Sequence, residues 1–332
     1  MQTAVLGAGS WGTALAIQLA RNGHAVRLLD RDADRACEMQ DRRENARYLP
    51  GITLPAGLTV CSDPAEALDD ARLVTVVIPS QAIRPALTAL LPHLPPDADI
   101  VCASKGIEED SLLTMDQVLE QVLPEGCHDR ISALSGPSFA REVAAGQPTA
   151  VVVAARRLEV AHRAAEAFHG GFFRVYDSTD VPGVEIGGAV KNVLAIACGA
   201  CDGAGLGTNA RAALITRGLS EITRLAVARG ADPLTLAGLS GMGDLVLTCT
   251  GDLSRNRRVG LGIGRGQRLH DILQELGQVA EGVITARSTH RLAQRMGVEM
   301  PIVEQVYRLL YEDRPLPEAL RDLFGRGRRA ER

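Results

Sequence analysis

The chain has 332 residues, 36 Lys and Arg against 40 Asp and Glu for a net charge of −4, and is 46% hydrophobic but only 3% aromatic. At about 150 residues per domain this length suggests two domains, with enough chain to bury a sizeable core. Mild acidity and scarce aromatics argue against nucleic-acid binding through a basic field or stacked bases. The composition also excludes a disordered chain, a collagen-like fibre and a disulfide-dense miniprotein.

In chain order, the first apolar run is Thr3–Leu6, which reads as a strand, and Gly7-Ala8-Gly9-Ser10-Trp11-Gly12 follows it at once. This is G-x-G-x-x-G, and Thr13–Arg21 behind it has helical periodicity. In such a strand–turn–helix unit Gly7 makes the tight turn, Gly9 lets the backbone approach a pyrophosphate, and Gly12 lets helix pack on strand. The diphosphate then faces the open N–H groups at the helix start. The second strand, Ala25–Leu29, ends on Asp30, where an acidic residue takes the ribose hydroxyls of a dinucleotide. Its neighbour Arg31 pulls the other way: a carboxylate favours a free 2′-hydroxyl, and an arginine pairs with a 2′-phosphate.

Further strands are expected at Leu58–Cys61, Leu73–Ile78, Ile100–Ala103, Ile131–Leu134, Ala150–Ala154 and Phe172–Tyr176, with amphipathic helices at Ala82–Leu91 and Leu158–Phe168 among them. Continuous apolar strands alternating with helices read as a doubly wound, mostly parallel sheet. Polar groups fall where strands end, which is where open α/β sheets bind ligands: Ser104-Lys105-Gly106 after the fifth, and Ser135-Gly136-Pro137-Ser138-Phe139-Ala140 after the sixth.

Past Asp180 strand-like runs become scarce and helical patterns take over at Val184–Ala200, Ala210–Arg229, Leu269–Leu276, Thr285–Gln294 and Ile302–Tyr311. Pro301 opens one segment and Gly230 closes another. The division therefore falls at 1–179, a dinucleotide-binding α/β domain, and 180–332, an all-helical substrate domain. The basic end Arg326–Arg332 reads as a solvated tail. Within the helical half, Gly187–Leu194 sets one lysine, Lys191, among small and apolar residues, where a charge is costly without a partner. A lysine snorkelling to the surface would give the same pattern. Gly241–Leu245 offers Asp244 as a partner, and Ser254-Arg255-Asn256-Arg257-Arg258 packs three arginines beside an asparagine, a cationic patch suited to phosphate or simply a solvated basic loop.

The seven cysteines, at 37, 61, 102, 127, 198, 201 and 249, are an odd number in a chain that needs no staples, which points to a reducing compartment. Cys198 and Cys201 form a C-x-x-C inside an apolar helix-like run, with no second pair to complete a zinc site, and the histidines show no ligand spacing, so no metal is expected. No run reaches the ~18 uninterrupted apolar residues of a membrane span, and the start lacks a basic signal-peptide region. A cytoplasmic protein is expected.

Eight motifs, in order across both halves, carry a family resemblance: GAGSWGTAL at Gly7–Leu15, NARYLPG at Asn45–Gly51, SKGIE at Ser104–Glu108, SGPSFA at Ser135–Ala140, GGAVKN at Gly187–Asn192, NARAALITRG at Asn209–Gly218, GMGDLVLTC at Gly241–Cys249 and SRNRR at Ser254–Arg258. The chain resembles the bacterial NAD(P)-dependent glycerol-3-phosphate dehydrogenases over essentially its full length. The resemblance implies a Rossmann-type first domain and reduction of dihydroxyacetone phosphate to sn-glycerol 3-phosphate with NADH or NADPH, feeding glycerophospholipid synthesis. It places Lys191 as general acid/base, and Lys105, Gly136, Ser138, Asp244, Ser254, Arg255 and Asn256 on substrate. It places Ser10, Trp11, Arg31, Lys105, Ala140, Arg255, Val279 and Glu281 on the cofactor, and implies a homodimer. Asp30 departs from the small or neutral residue expected at its position in many relatives, so the choice between NADH and NADPH stays open.

The implied chemistry is physically coherent. A protonated Lys191 stabilises charge developing on the carbonyl oxygen and then transfers its proton; Lys105 lowers its pKa, Asp244 raises it and orients the amine. Arg255 and Asn256 hold the phosphate, so that remote binding energy positions the reacting carbon. Two other readings compete: a further two-domain dehydrogenase of the 3-hydroxyacid or 6-phosphogluconate type, and a non-catalytic dinucleotide-binding sensor. The Ser254–Arg258 cluster and the order of the motifs disfavour the first; the intact set Lys105, Lys191 and Asp244 disfavours the second.

Overall fold

A computed structural model describes residues 1–327, so most of the basic tail expected at Arg326–Arg332 lies outside the described residues. Arg326 itself approaches the Glu299 carboxylate at 3.3 Å. The strands are β1 (Gln2–Leu6), β2 (Ala25–Leu29), β3 (Leu58–Cys61), β4 (Leu73–Val76), β5 (Asp99–Cys102), β6 (Ile131–Ser135), β7 (Thr149–Ala155) and β8 (Phe173–Ser178). They form one sheet in the order β3-β2-β1-β4-β5-β6-β7-β8. Valine, leucine and isoleucine on successive positions suit strands covered on both faces, and β4 and β6 are buried along their whole length.

β1 to β6 are mutually parallel, whereas β7 runs antiparallel to β6 and β8 runs parallel to β7. The reversal has a local cause. The link from β6 to β7 holds only the five-residue helix Ala140–Ala144, about 7.5 Å long, which does not run back along a strand of about 17 Å as a crossover helix does. The chain leaves β1 toward β2 on one side and resumes at β4 on the other, so a crevice opens beyond the ends of β1 and β4. The turns after β1, β4, β5 and β6 line that end of the sheet.

From Val181 onward every described element is helical. The helix Val181–Gly203 is the axis of this half; Asp180 caps it by accepting from the Gly183 N–H at 2.9 Å, and Pro182 sits in its first turn. By length and composition this helix could cross a membrane, but it is wholly buried inside the protein and is a core helix. Cys198 and Cys201 are buried within it.

Glycines bring its backbone against the helix Arg255–Gly264: a Cβ on Gly199 would fall onto the Arg257 carbonyl oxygen, and one on Gly260 onto that of Ile196. Many glycines around Lys191 and the arginine cluster therefore serve helix–helix contact, not ligand contact. The close approach holds Arg255 and Asn256 beside the lysine-bearing helix.

Candidate active site

The glycine-rich turn has the shape a diphosphate needs. Gly7 takes φ +112°, a left-handed conformation that favours glycine, and a Cβ there would strike the Val77 carbonyl. A Cβ on Gly12 would fall onto the Gly7 carbonyl oxygen, so Gly12 is what lets the helix Ser10–Arg21 seat on the turn. Above Gly9 there is nothing within 4 Å, and the helix start has no side-chain cap. Open N–H groups with clear space above them fit the pyrophosphate of NAD(P)H.

Asn45, from the second motif, is fully buried and donates to the Ala8 carbonyl at 2.9 Å and to Thr13 Oγ1 at 2.8 Å, pinning this turn from below. Sequence reasoning quoted its motif without seeing that task.

Asp30 behaves differently from expectation. It is 2% exposed, and its carboxylate is gripped by Arg35, whose Nε lies at 2.6 Å from Oδ2 and whose terminal nitrogen bonds Oδ1; Oδ1 also accepts from the Asp32 N–H at 3.0 Å. Both oxygens are therefore engaged within the protein, and a ribose hydroxyl would have to share the carboxylate with Arg35. The hydrogen bond to Asp30 raises the Arg35 pKa, against the cost of burial. Arg35 lies one helical turn into Ala33–Arg42, so its contact with Asp30 appears only once that helix folds back onto the strand end. Arg31 is exposed at the same edge.

The amine end assembles from three distant segments. Lys191 is 7% exposed; its Nζ bonds Asp244 Oδ1 and donates to Thr248 Oγ1 at 2.9 Å. Lys105, on the turn after β5, donates to Asp244 Oδ2 at 2.6 Å and to the Gly136 carbonyl at 3.3 Å. One buried carboxylate thus holds two ammonium groups side by side.

The chain delivers Asp244 through a short π-helical turn, Leu239–Gly243, a device common at functional sites. Thr248, one turn further on, donates to the Asp244 backbone carbonyl at 2.6 Å; sequence reasoning missed it because a lone threonine in a helix carries no signal. Gly136 takes φ +137° in the turn after β6, and Ser138 Oγ donates to its carbonyl at 3.0 Å. The expected group Lys105, Gly136, Ser138, Lys191 and Asp244 is therefore brought together.

Electrostatics follow from burial. Desolvation lowers the Lys191 ammonium, Asp244 partly restores it and Lys105 lowers it again, leaving it at about 8. Burial alone would raise the Asp244 carboxyl, but Lys105 and Lys191 more than offset it and hold it below the usual range. Burial pushes the Glu281 carboxyl up to about 7, while the Ser80 N–H, 3.4 Å from Oε1, and then Arg255 pull the other way.

The arginine cluster is sorted by the fold. Ser254 caps the helix Arg255–Gly264, its Oγ accepting from the Arg257 N–H at 3.2 Å. Arg257 is spent on Asp202 at 2.7 Å and Asp252 at 2.8 Å, and Arg258 projects from the exposed side of the helix. The cluster is neither a solvated loop nor a three-arginine phosphate patch; Arg255, bonded to Gln278 at 3.3 Å, is the one left near Glu281. Asn256 is buried and accepts from the Gly282 N–H at 2.9 Å, while Gly282 packs on the Asn192 carbonyl of the lysine helix. Ala140 begins the short helix after β6, and Val279 is half-exposed on the loop before Glu281.

Two family models cover most of the chain. That of the NAD-dependent glycerol-3-phosphate dehydrogenase N-terminus matches residues 2–161, and that of its C-terminus matches 180–321. The chain belongs to this family. A glycerol-3-phosphate dehydrogenase [NAD(P)+] of Geobacter sp. (strain M21) is 55% identical over 328 residues, covering 99% of this chain and 98% of the relative. One from Anaeromyxobacter dehalogenans (strain 2CP-C) is 54% identical over 331 residues, the whole of both chains. The crystal structure of the Coxiella burnetii glycerol-3-phosphate dehydrogenase superposes with a TM-score of 0.93 at 43% identity, covering 98% of this chain and 99% of that one. Family membership sets aside the alternative of another Rossmann dehydrogenase class.

Proposed function

We infer that this chain is an NAD(P)H-dependent reductase of dihydroxyacetone phosphate, forming sn-glycerol 3-phosphate for glycerophospholipid synthesis. The observation that carries the mechanism is the buried Lys191–Asp244–Lys105 triad at the end of a sheet whose first turn fits a dinucleotide diphosphate. Gly7, Gly9, Ser10, Trp11 and Gly12 hold the diphosphate end, with Arg31, Lys105, Ala140, Arg255, Val279 and Glu281 along the remainder. When bound, the nicotinamide supplies a hydride to the ketone carbon.

Lys191 is the acid. With its pKa at about 8, most of it is ammonium at neutral pH, yet it gives up the proton readily as the carbonyl oxygen gains charge. Asp244 and Thr248 fix its direction, and Lys105 adds positive charge beside the developing oxyanion. In the reverse direction the neutral amine takes the hydroxyl proton. Lys105, Arg255 and the Asn256 amide bind the substrate and its phosphate, Gly136 and Ser138 shape the turn against it, and Ser254 orients Arg255 and Asn256 by capping their helix. Residues 1–179 form the cofactor-binding unit and 180–332 the catalytic unit of a cytoplasmic homodimer.

The test is oxidation of NADH and of NADPH by the purified protein with dihydroxyacetone phosphate. Turnover with at least one cofactor is expected; a folded protein that turns over neither is not this enzyme and reverts to the sensor reading.

A further inference from the structure

Against Lys105 lies a cavity of about 10 Å³ whose lining includes Ser104, Ser135, Glu185 and Gly188. That is about the space of one water molecule. Two of its lining residues carry buried oxygens that find no protein partner, Ser135 Oγ and Glu185 Oε1. Gly188 keeps this space open: a Cβ there would press on Ser135 Oγ and the Lys105 stem.

Glu185 is 4% exposed and sits on the lysine-bearing helix, one and a half turns before Lys191. Its Oε2 is held by the Met115 N–H at 3.4 Å, at the start of the helix Met115–Val122, which leaves Oε1 for the cavity. The next residue, Asp116, lines a second and larger cavity of about 350 Å³, partly open to solvent, with Thr114, Gln117, Ile186 and Arg229 on its walls; Asp116 Oδ1 is likewise buried and unpartnered. Asp116 thus lies beside the residue that holds Glu185, Glu185 and Lys105 line the same small cavity, and Lys105 shares Asp244 with Lys191.

We propose that Glu185 is a proton-relay residue that recharges Lys191 from behind while substrate and cofactor close the cleft in front. This rests on the reading of Lys191 as the acid. Each reduction removes one proton from the Lys191 ammonium and leaves a neutral amine, so one proton must return per turnover. Lys105 passes a proton to that amine and recovers one from the Glu185 carboxyl through the small cavity. The Glu185 carboxylate then regains a proton from solvent through the Asp116 side. One proton enters for each one delivered to product, and every relay group ends as it began.

The charged surroundings of Glu185 suit that task. Desolvation and then Asp116 push its carboxyl well above the ordinary value, against the Met115 and Asp116 N–H groups and Lys105, which favours its protonated form. Cys102 on β5 is a further titratable neighbour, its thiol held well above the ordinary value by burial and then by Glu185.

The experiment compares the first turnover with steady-state turnover of the whole enzyme, by stopped-flow oxidation of the reduced cofactor with dihydroxyacetone phosphate in light and heavy water. Glu185→Gln keeps the acceptor for the Met115 N–H and removes the transferable proton. We expect its steady-state kcat to fall about tenfold or more, its first turnover to change far less, and its solvent isotope effect on kcat to rise. Asp116→Asn, at the outer cavity, should move the isotope effect in the same direction by less.

An unchanged kcat and isotope effect in Glu185→Gln overturns the relay. So does an equal loss in first and later turnovers, which is what a purely structural glutamate gives. If Glu185→Gln does not fold, Asp116→Asn decides, and an unchanged isotope effect there overturns it. Failure of the underlying reading looks different: the pH transition near 8 would survive Lys191→Met, whatever Glu185→Gln does.

Discussion

The two ends of the cleft are built in opposite ways. At the proposed diphosphate end the groups come from one stretch, Gly7–Gly12, and act through backbone: a left-handed turn, open N–H groups and the absence of side chains. At the amine end they come from Lys105, Lys191 and Asp244, with 139 and 53 residues separating Asp244 from its two partners, and act through buried charge. A backbone site tolerates change in its surroundings but no added atom. A buried-charge site tolerates neither loss of a partner nor a change in solvation, because each group's protonation depends on the others.

The largest expected effect follows at the charge end. Lys191→Met should leave cofactor affinity intact and lower kcat by about a thousandfold, within the range of general acid catalysis; cofactor titration and steady-state kinetics check both halves. At the backbone end, Gly12→Ala adds one methyl against the Gly7 carbonyl. Overpacking of about 1–3 kcal/mol should weaken NAD(P)H binding about tenfold or more while leaving the pH dependence of the remaining activity unmoved. The smallest effect concerns cofactor choice. Arg35→Ala frees the Asp30 carboxylate to accept ribose hydroxyls and to repel a 2′-phosphate, so the NADPH to NADH ratio of kcat/KM should fall roughly tenfold, the worth of one charge-assisted hydrogen bond. A ratio that stays put would show that the Asp30–Arg35 pair does not face the ribose.

The same contrast decides how much the sequence reveals. All eight strands and the glycine-rich turn are legible, because period, apolar runs and the spacing of Gly7, Gly9 and Gly12 are local properties. Lys191 is legible because a lone cation among small apolar residues is an anomaly wherever it folds. Its setting is not: Thr248, the grip of Arg35 on Asp30, and the diversion of Arg257 to Asp202 depend on contacts made by tertiary packing. The glycines near Lys191 have a task that only the fold reveals, since helix–helix contact and ligand contact call for the same residue.

The central claim is that a buried Lys191 ammonium with a pKa of about 8 is the acid of the reaction. It is tested most directly by the pH dependence of kcat in both directions. Reduction of dihydroxyacetone phosphate should decline as pH rises through about 8, because the ammonium is lost, and oxidation of glycerol 3-phosphate should rise through the same point. Both transitions should be absent from the residual activity of Lys191→Met. A reduction rate that is flat or rising through that range, or a transition that survives the substitution, would contradict it.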